Sequence, residues 1–151
     1  MIYLGTDHRG FELKEKIKQW LGEWRQPFED LGNTVYDQTD DYVDFASQVA
    51  RRVAESPQEH RGILLCGSGA GVDIVANKIK GVRSVLIWTD IDNLVRDSRQ
   101  KDNANVLSLP ANYLTEEQAQ KIVKLWLETP NASEERHLRR LQKITDLEVQ
   151  L

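Results

Sequence analysis

An apolar segment, Ile63-Leu64-Leu65-Cys66, leads directly into a loop that has glycine at positions 67, 69 and 71. A strand that is apolar at every position has no polar face for water, as expected in a parallel sheet covered on both sides. Glycines in the loop permit a positive φ and a close approach of the backbone to a ligand. The segment therefore predicts a buried strand, an anion-binding loop and the start of a helix.

Strand-like and helix-like patterns alternate along the whole chain, without a linker or a repeat. We predict strands at residues 2–6, 34–36, 63–66, 82–88 and 106–109. We predict helices at residues 11–21, 42–54, 72–79, 92–99, 115–127 and 133–147. This alternation predicts an α/β fold with a five-stranded parallel sheet, helices on both faces and an extra C-terminal helix.

The bulk composition excludes several classes of protein. A chain of 151 residues suits one domain, residues 1–151, and its net charge of −4 provides no basic field for nucleic acid or an anionic membrane. No apolar run approaches the roughly 20 residues of a membrane-spanning helix. The single cysteine excludes an internal disulfide and suits a reducing compartment. We therefore expect a cytoplasmic protein whose phosphate site, if it has one, is a local basic cluster.

Two polar segments follow predicted strands, Thr6-Asp7-His8 and Cys66-Gly67-Ser68. Ligands of parallel sheets bind beyond the carboxyl ends of the strands, so we expect both segments to face one crevice. The helix that follows Cys66 would stabilise its thiolate and make it a base or nucleophile. Each group also has an ordinary structural role: Asp7 as a helix cap, Cys66 as a small buried apolar residue, Ser68 as a turn residue.

Arg136 and Arg140 lie four residues apart, on one face of the last predicted helix. Two guanidinium groups on one face can hold a phosphate, although pairing with Glu134 and Glu135 on a solvated helix explains them equally well.

The glycine loop lacks the spacing of a dinucleotide-binding or P-loop motif, so we predict no nucleotide cofactor. The three histidines are dispersed and none share metal-ligand spacing, so we predict no metal. A small phosphorylated or enolising ligand fits better.

Six segments in order resemble the ribose-5-phosphate isomerase B family, which includes the galactose-6-phosphate isomerase subunits. They lie between Ile2 and about Ile144, and they are residues 5–10, 41–46, 62–71, 76–83, 104–107 and 136–140. The resemblance implies a Rossmann-like, doubly wound parallel sheet. It also implies a homodimer or homotetramer without metal, with its active sites at a subunit interface.

The resemblance further implies an aldose–ketose isomerase that acts through a cis-enediolate. Its base aligns with Cys66, while Asp7 would relay protons between sugar oxygens. Ser68 and the backbone amides of residues 67–71 would stabilise the enediolate. Substrate binding is therefore expected at several residues, namely His8, Gly67, Gly69, Ala70, Gly71, Lys101, Asn103, Arg136 and Arg140.

The sequence departs from the family pattern at two positions. Lys101 replaces the histidine that opens the sugar ring, and Asn112 replaces a phosphate-binding arginine. In the family both positions serve the neighbouring subunit, so both departures are expected on one side of the pocket. Three hypotheses follow: ribose 5-phosphate isomerisation, isomerisation of another sugar phosphate such as a hexose 6-phosphate, or a weakly active or non-catalytic sugar-phosphate-binding subunit.

Overall fold

A computed structural model describes residues 1–150 of the chain. Its five strands are β1 Ile2–Thr6, β2 Phe28–Asp30, β3 Arg61–Cys66, β4 Ser84–Leu86 and β5 Val106–Pro110. Its six α-helices are α1 Phe11–Glu23, α2 Tyr42–Ala54, α3 Ala70–Ala76, α4 Asp92–Gln100, α5 Glu116–Glu128 and α6 Glu135–Gln150. A short 3-10 turn, His8–Gly10, joins β1 to α1.

The strands form one parallel sheet in the order β2-β1-β3-β5-β4. From β1 the chain adds β2 on one side and β3 on the other, so the strand order reverses between β1 and β3. This is the switch point at which doubly wound sheets bind their ligands. The predicted α/β fold class, with a Rossmann-like doubly wound sheet, is confirmed.

Two hydrophobic cores cover the sheet, one on each face. Residues of α1, α4 and α5 pack on one face, around Leu4 and Leu107. Residues of α2 and α3 pack on the other face, around Leu64 and Val106. Because β1, β3 and β5 are buried at nearly every position, their apolar sequences follow from contact with helices on both sides.

The predicted second strand is wrong. Residues 34–36 lie in the loop between β2 and α2, where Val35 is 73% exposed, and the strand that pairs with β1 is Phe28–Asp30. Residues 34–36 have high β-propensity but no neighbouring strand edge to pair with, whereas Phe28 lies beside Ile2. Smaller differences concern α3 and β4. Helix α3 begins at Ala70 and ends at Ala76, where tight turns at residues 77–83 follow it, and β4 pairs with β5 only at residues 84–86.

The last helix, α6, lies at the edge of the sheet where the strands begin. Glu148 accepts a hydrogen bond from the amide of Gly81, which precedes β4, and only His137 of this helix is buried. Within residues 1–150, no helix combines the length and apolarity needed to cross a bilayer.

Candidate active site

Asp7 and His8 lie where β1 ends, at the carboxyl edge of the sheet, defined here as the edge where the strands terminate. Asp7 is 7% exposed and accepts a hydrogen bond from the amide of Arg9 at 2.9 Å, so it does cap the following turn. Burial raises the pKa of Asp7, although hydrogen bonds from the amides of Arg9 and Gly10 and the nearby His8 counteract the rise. A carboxyl with a raised pKa holds a proton more readily than an ordinary aspartate, which suits a group that moves protons.

Cys66 lies at the end of the neighbouring strand and is 5% exposed. The amide of Gly69 donates a hydrogen bond to its Sγ at 3.1 Å. Gly69 has a φ of +72°, and this left-handed conformation turns its amide back toward the sulfur. A backbone donor on the sulfur stabilises negative charge there, which a nucleophile or base requires.

The remaining loop amides differ in what they bind. The amide of Ala70 donates to the Ser68 Oγ at 3.3 Å, so this hydroxyl is engaged within the loop. The amides of Gly67, Ser68 and Gly71 have no acceptor among residues 1–150. Three of the five predicted oxyanion donors are therefore available to a ligand. The amides of Gly69 and Ala70 are occupied.

The two loops lie side by side, as the strand order requires. The hydroxyl of Thr6 donates to the carbonyl of Leu65 at 3.0 Å, and a Cβ built on Gly67 would lie 3.6 Å from the Arg9 side chain. A cavity of about 360 Å³ opens beside them, lined by four residues: His8, Arg9, Tyr36 and Gln38. Cys66 does not line this cavity and reaches the surface only through its small exposed area.

The other predicted binding residues lie at the opposite, amino edge of the sheet. Asn103 is 7% exposed and donates to Gln58, which precedes β3. Lys101 follows the last residue of α4 and lines a cavity of about 210 Å³ together with His137 at the start of α6. Arg136 is exposed and pairs with Glu134 at 2.9 Å, and Arg140 is exposed one helical turn further along.

Two arginines without an ion pair among residues 1–150, Arg83 and Arg99, hold the loop that carries Asn103. Arg83 donates to the carbonyl of Asn103 at 3.0 Å, and Arg99 donates to the carbonyl of Ala104. Burial, together with the charges of Arg61 and Arg83, lowers the pKa of Arg99 to about 9. Asn103 adopts a φ of 48°, a left-handed conformation that asparagine tolerates better than most residues.

One protomer therefore does not bring all the predicted site residues together. Asp7, His8 and the Cys66 loop form one group, and Lys101, Asn103, Arg136 and Arg140 belong to another. Gly62 pairs with Val106 near the amino edge and Cys66 pairs with Pro110 at the carboxyl edge. The step of four residues from Gly62 to Cys66 along β3 spans roughly 13 Å. This distance is a lower limit for the separation of the two groups along the strand direction.

Comparisons with known proteins identify the family of the chain. A family profile described as Ribose/Galactose Isomerase matches residues 2–144. The chain belongs to this family. A probable ribose-5-phosphate isomerase B of Mycoplasma genitalium is 40% identical over 143 residues, 95% of this chain and 92% of the relative. The ribose-5-phosphate isomerase B of Mycobacterium tuberculosis is 35% identical over 147 residues, 97% of this chain and 89% of the relative.

Solved structures of family members have the same fold. The crystal structure of the Mycoplasma genitalium enzyme with bound ribulose-5-phosphate superposes with a TM-score of 0.94 and 39% identity, covering 99% of this chain and 97% of that one. The type B ribose 5-phosphate isomerase of Trypanosoma cruzi gives a TM-score of 0.91 at 34% identity, covering 99% of each chain. The resemblance inferred from six sequence segments is confirmed.

The two departures from the family pattern do not lie on the same side, contrary to the sequence-based expectation. Lys101 is at the amino edge, where it pairs with Asp97 at 2.6 Å. Asn112 is at the carboxyl edge of the same protomer, because its amide donates to the carbonyl of Gly67 at 3.0 Å. Helix α4 carries the chain back from one edge to the other between β4 and β5, which places positions 101 and 112 at opposite ends of β5.

Two neighbours of the site were not predicted from the sequence. Tyr42 lies over the glycine loop, since a Cβ on Gly71 would come within 2.7 Å of its ring. Asp40 contacts His8, and the ligand atoms of Asp7, His8 and Asp40 all lie within 4.8 Å of one another. This is an arrangement that a metal ion can use, and histidine spacing did not indicate it because Asp40 is 32 residues from His8. The closest of these contacts is a hydrogen bond between His8 and Asp40.

Proposed function

We propose that this protein interconverts ribose 5-phosphate and ribulose 5-phosphate, with Cys66 as the base. The observation that carries the proposal is the hydrogen bond from Gly69 to the only sulfur at the switch point of the sheet, next to Asp7. The Mycoplasma genitalium relative with bound ribulose-5-phosphate supports the choice of substrate, since 39% identity extends over nearly the whole of both chains.

The chemistry follows from the groups at the carboxyl edge. The Cys66 thiolate removes the proton from C2 of the open-chain aldose, and the electron pair moves to the C1 oxygen to give an enediolate. The free amides of Gly67, Ser68 and Gly71 stabilise the developing oxyanion. Asp7 moves a proton between the two oxygens, and Cys66 returns its proton to C1 to give the ketose. A positioned base of this kind contributes roughly 10²–10⁴ in rate.

We also propose that two copies of the chain complete each site, as a homodimer or within a homotetramer. The carboxyl edge supplies the base, and the amino edge of the second copy supplies Lys101, Asn103, Arg136 and Arg140. Exposed aromatic residues near the carboxyl edge support this arrangement, because Trp88 is 66% exposed and Tyr113 74% exposed. Exposed aromatic side chains of this size are typical of protein interfaces. A phosphate held by a second copy would orient the reacting carbons over Cys66.

A cytoplasmic location fits this mechanism. Cys66 must remain a free thiol to act as a base, and a reducing compartment maintains that state.

Lys101 and Asn112 favour a second candidate, the isomerisation of a different sugar phosphate such as a hexose 6-phosphate. By the family resemblance, Lys101 stands where a histidine opens the sugar ring and Asn112 where an arginine binds phosphate. Both substitutions therefore change the charge and the hydrogen-bonding capacity around the ligand. A panel of pentose and hexose phosphates, with kcat/KM measured for each, separates the two candidates. Preference for a hexose 6-phosphate would replace the first proposal.

The direct experiment is conversion of ribose 5-phosphate by the purified protein and by its Cys66→Ser variant. We expect turnover by the parent and a loss of at least about 10² in kcat for the variant. Absence of turnover on every sugar phosphate, with binding retained, would instead support a non-catalytic sugar-phosphate-binding subunit.

A further inference from the structure

The His8 side chain is held by a single buried carboxylate. Its Nδ1 lies 2.7 Å from the Asp40 Oδ1, and the backbone amide of His8 donates to the same oxygen at 3.1 Å. The Asp40 side chain is only 6% exposed. Both the ring and the backbone of His8 are thus fixed to one oxygen atom from a distant loop.

The second oxygen of Asp40 is also occupied, which fixes the orientation of the carboxylate. Asn33 donates its side-chain amide to the Asp40 Oδ2. Asn33 in turn is anchored by Lys14, a fully buried residue of α1 whose Nζ donates to the Asn33 carbonyl at 2.7 Å and to Asp30 at 2.5 Å. A chain of contacts therefore runs from the core to the His8 ring.

A carboxylate accepts hydrogen bonds and donates none, so Asp40 requires the proton of His8 to reside on Nδ1. The other ring nitrogen, Nε2, has no partner among residues 1–150. The side chain of His8 lines the cavity of about 360 Å³ at the carboxyl edge. A nitrogen in this position can accept from a hydroxyl when the ring is neutral and can donate to a phosphate oxygen when the ring is protonated.

We propose that Asp40 is a positioning residue, which fixes the tautomer of His8 and keeps its Nε2 available for the phosphate group or a hydroxyl of the substrate. The inference rests on the proposed function for the identity of that substrate. It extends that function by assigning a role to a loop residue that makes no contact with the reacting carbons. Carboxylates that orient histidines in this way set the tautomer in many sites.

The kinetic test is Asp40→Asn. The amide can donate to Nδ1, which moves the ring proton to Nε2, so that the neutral ring no longer accepts from a hydroxyl of the ligand. Loss of the carboxylate charge also weakens a charge-assisted bond from the ring to a phosphate oxygen. We expect the KM for ribose 5-phosphate to rise about tenfold, with kcat changed by less than about threefold, since a charge-assisted hydrogen bond to the ligand is lost or weakened.

The matched control is Asp41→Asn, the same chemical change at the next residue. Asp41 caps α2 by accepting from the Val43 amide at 3.0 Å and makes no hydrogen bond with His8. Its variant is expected to change stability but to leave the KM within about twofold of the parent. An equal rise in KM for both variants would overturn the positioning role.

A double-mutant test separates action through His8 from a general structural effect. In a His8→Asn background, Asp40→Asn is expected to leave the KM unchanged, because the residue it positions is gone. A full additional tenfold rise in that background would contradict the proposal.

The tautomer itself is measured by ¹⁵N NMR of the imidazole, with the His8 signals assigned by comparison with the His8→Asn variant. We expect the Nδ1–H form in the neutral parent ring and the Nε2–H form in Asp40→Asn. An Nε2–H ring in the parent would overturn the inference. This measurement needs no turnover, so a parent protein inactive on ribose 5-phosphate would refute the proposed function while the tautomer still decides the role of Asp40.

Discussion

The amide of Gly69 donates to the Sγ of Cys66 across 3.1 Å, so the loop that follows β3 folds back onto Cys66, the last residue of that strand. The same turn starts α3 at Ala70 and leaves the amides of Gly67, Ser68 and Gly71 without an acceptor in the described chain. One short segment therefore places the proposed base beside the proposed oxyanion donors. Both depend on the conformation of a single glycine.

Gly69→Ala is expected to disrupt this turn. Its φ of +72° disfavours a side chain, and a Cβ would lie 2.5 Å from Leu86 and 2.9 Å from the backbone of Leu109 and Pro110. We expect a loss of about 2–4 kcal/mol in the free energy of unfolding, measured by urea denaturation.

Gly22→Ala is the matched control. Gly22 lies within α1, and a Cβ there would meet no atom within 4 Å. The same substitution should stabilise the protein by about 0.5–1 kcal/mol, because alanine favours the helix. A Gly69→Ala variant as stable as Gly22→Ala would contradict the described loop geometry.

Asp7→Asn is expected to lower activity and raise stability at neutral pH. Burial raises the pKa of Asp7, so the folded state binds its proton more tightly than the unfolded state does. Burying the charged carboxylate lowers the free energy of unfolding at every pH above the folded-state pKa. This loss of stability disappears as the pH falls to the ordinary pKa of an aspartate in the unfolded chain. The variant should therefore unfold at higher denaturant than the parent at pH 7, with the difference vanishing below about pH 4.

The asparagine keeps an oxygen that can accept from the Arg9 amide, so the cap survives the substitution. It cannot carry a proton between sugar oxygens, and we expect kcat to fall by roughly 10². A variant that is less stable than the parent at pH 7 would show that the carboxylate charge stabilises the fold.

The strand and helix pattern predicted the fold wherever burial is continuous. Ile63 to Cys66 is apolar because both faces of β3 meet helices, and the sequence shows this directly. Phe28 to Asp30 forms an edge strand with one apolar residue, and its pairing with β1 is a tertiary contact without a local signal. Val35 and Tyr36 have strong β-propensity but remain exposed, since propensity alone does not supply a partner strand.

The site was predictable only in part, for a related reason. Asp7 follows β1 and Cys66 ends β3, and these two strands are adjacent and parallel. Because ligands of parallel sheets bind beyond the carboxyl ends of the strands, the sequence places both residues at one site. The contact of Asp40 with His8 depends on the path of a long loop, which sequence spacing does not reveal. The opposite placement of Lys101 and Asn112 depends on the direction of α4 and β5, although only ten residues separate the two positions along the chain.

Lys101→His is expected to increase kcat/KM for ribose 5-phosphate. A lysine is mostly protonated near pH 7, whereas an imidazole can accept the proton released when the sugar ring opens. The pair of Lys101 with Asp97 is exposed, so its loss should cost less than about 1 kcal/mol. Lys101→Gln is the control for loss of charge. Equal rates for the histidine and glutamine variants would exclude position 101 from ring opening.

Mixing two inactive variants tests whether each site combines two copies. Cys66→Ser disables the carboxyl edge, and the double variant Arg136→Ala, Arg140→Ala disables the amino edge. Random reassembly of dimers from an equal mixture should restore about a quarter of the parent activity, because half of the dimers then contain one intact site out of two. A mixture no more active than its components would show that a single copy forms the whole site.

Proton exchange at C2 of ribose 5-phosphate in D₂O tests the role of Cys66 most directly. Serine retains an atom that can accept from the Gly69 amide but is a far weaker base, so the loop is preserved while the chemistry is removed. The account predicts that the parent replaces the C2 proton with deuterium, as followed by proton NMR, and that Cys66→Ser binds the substrate but does not exchange it. Undiminished exchange in Cys66→Ser would contradict the account.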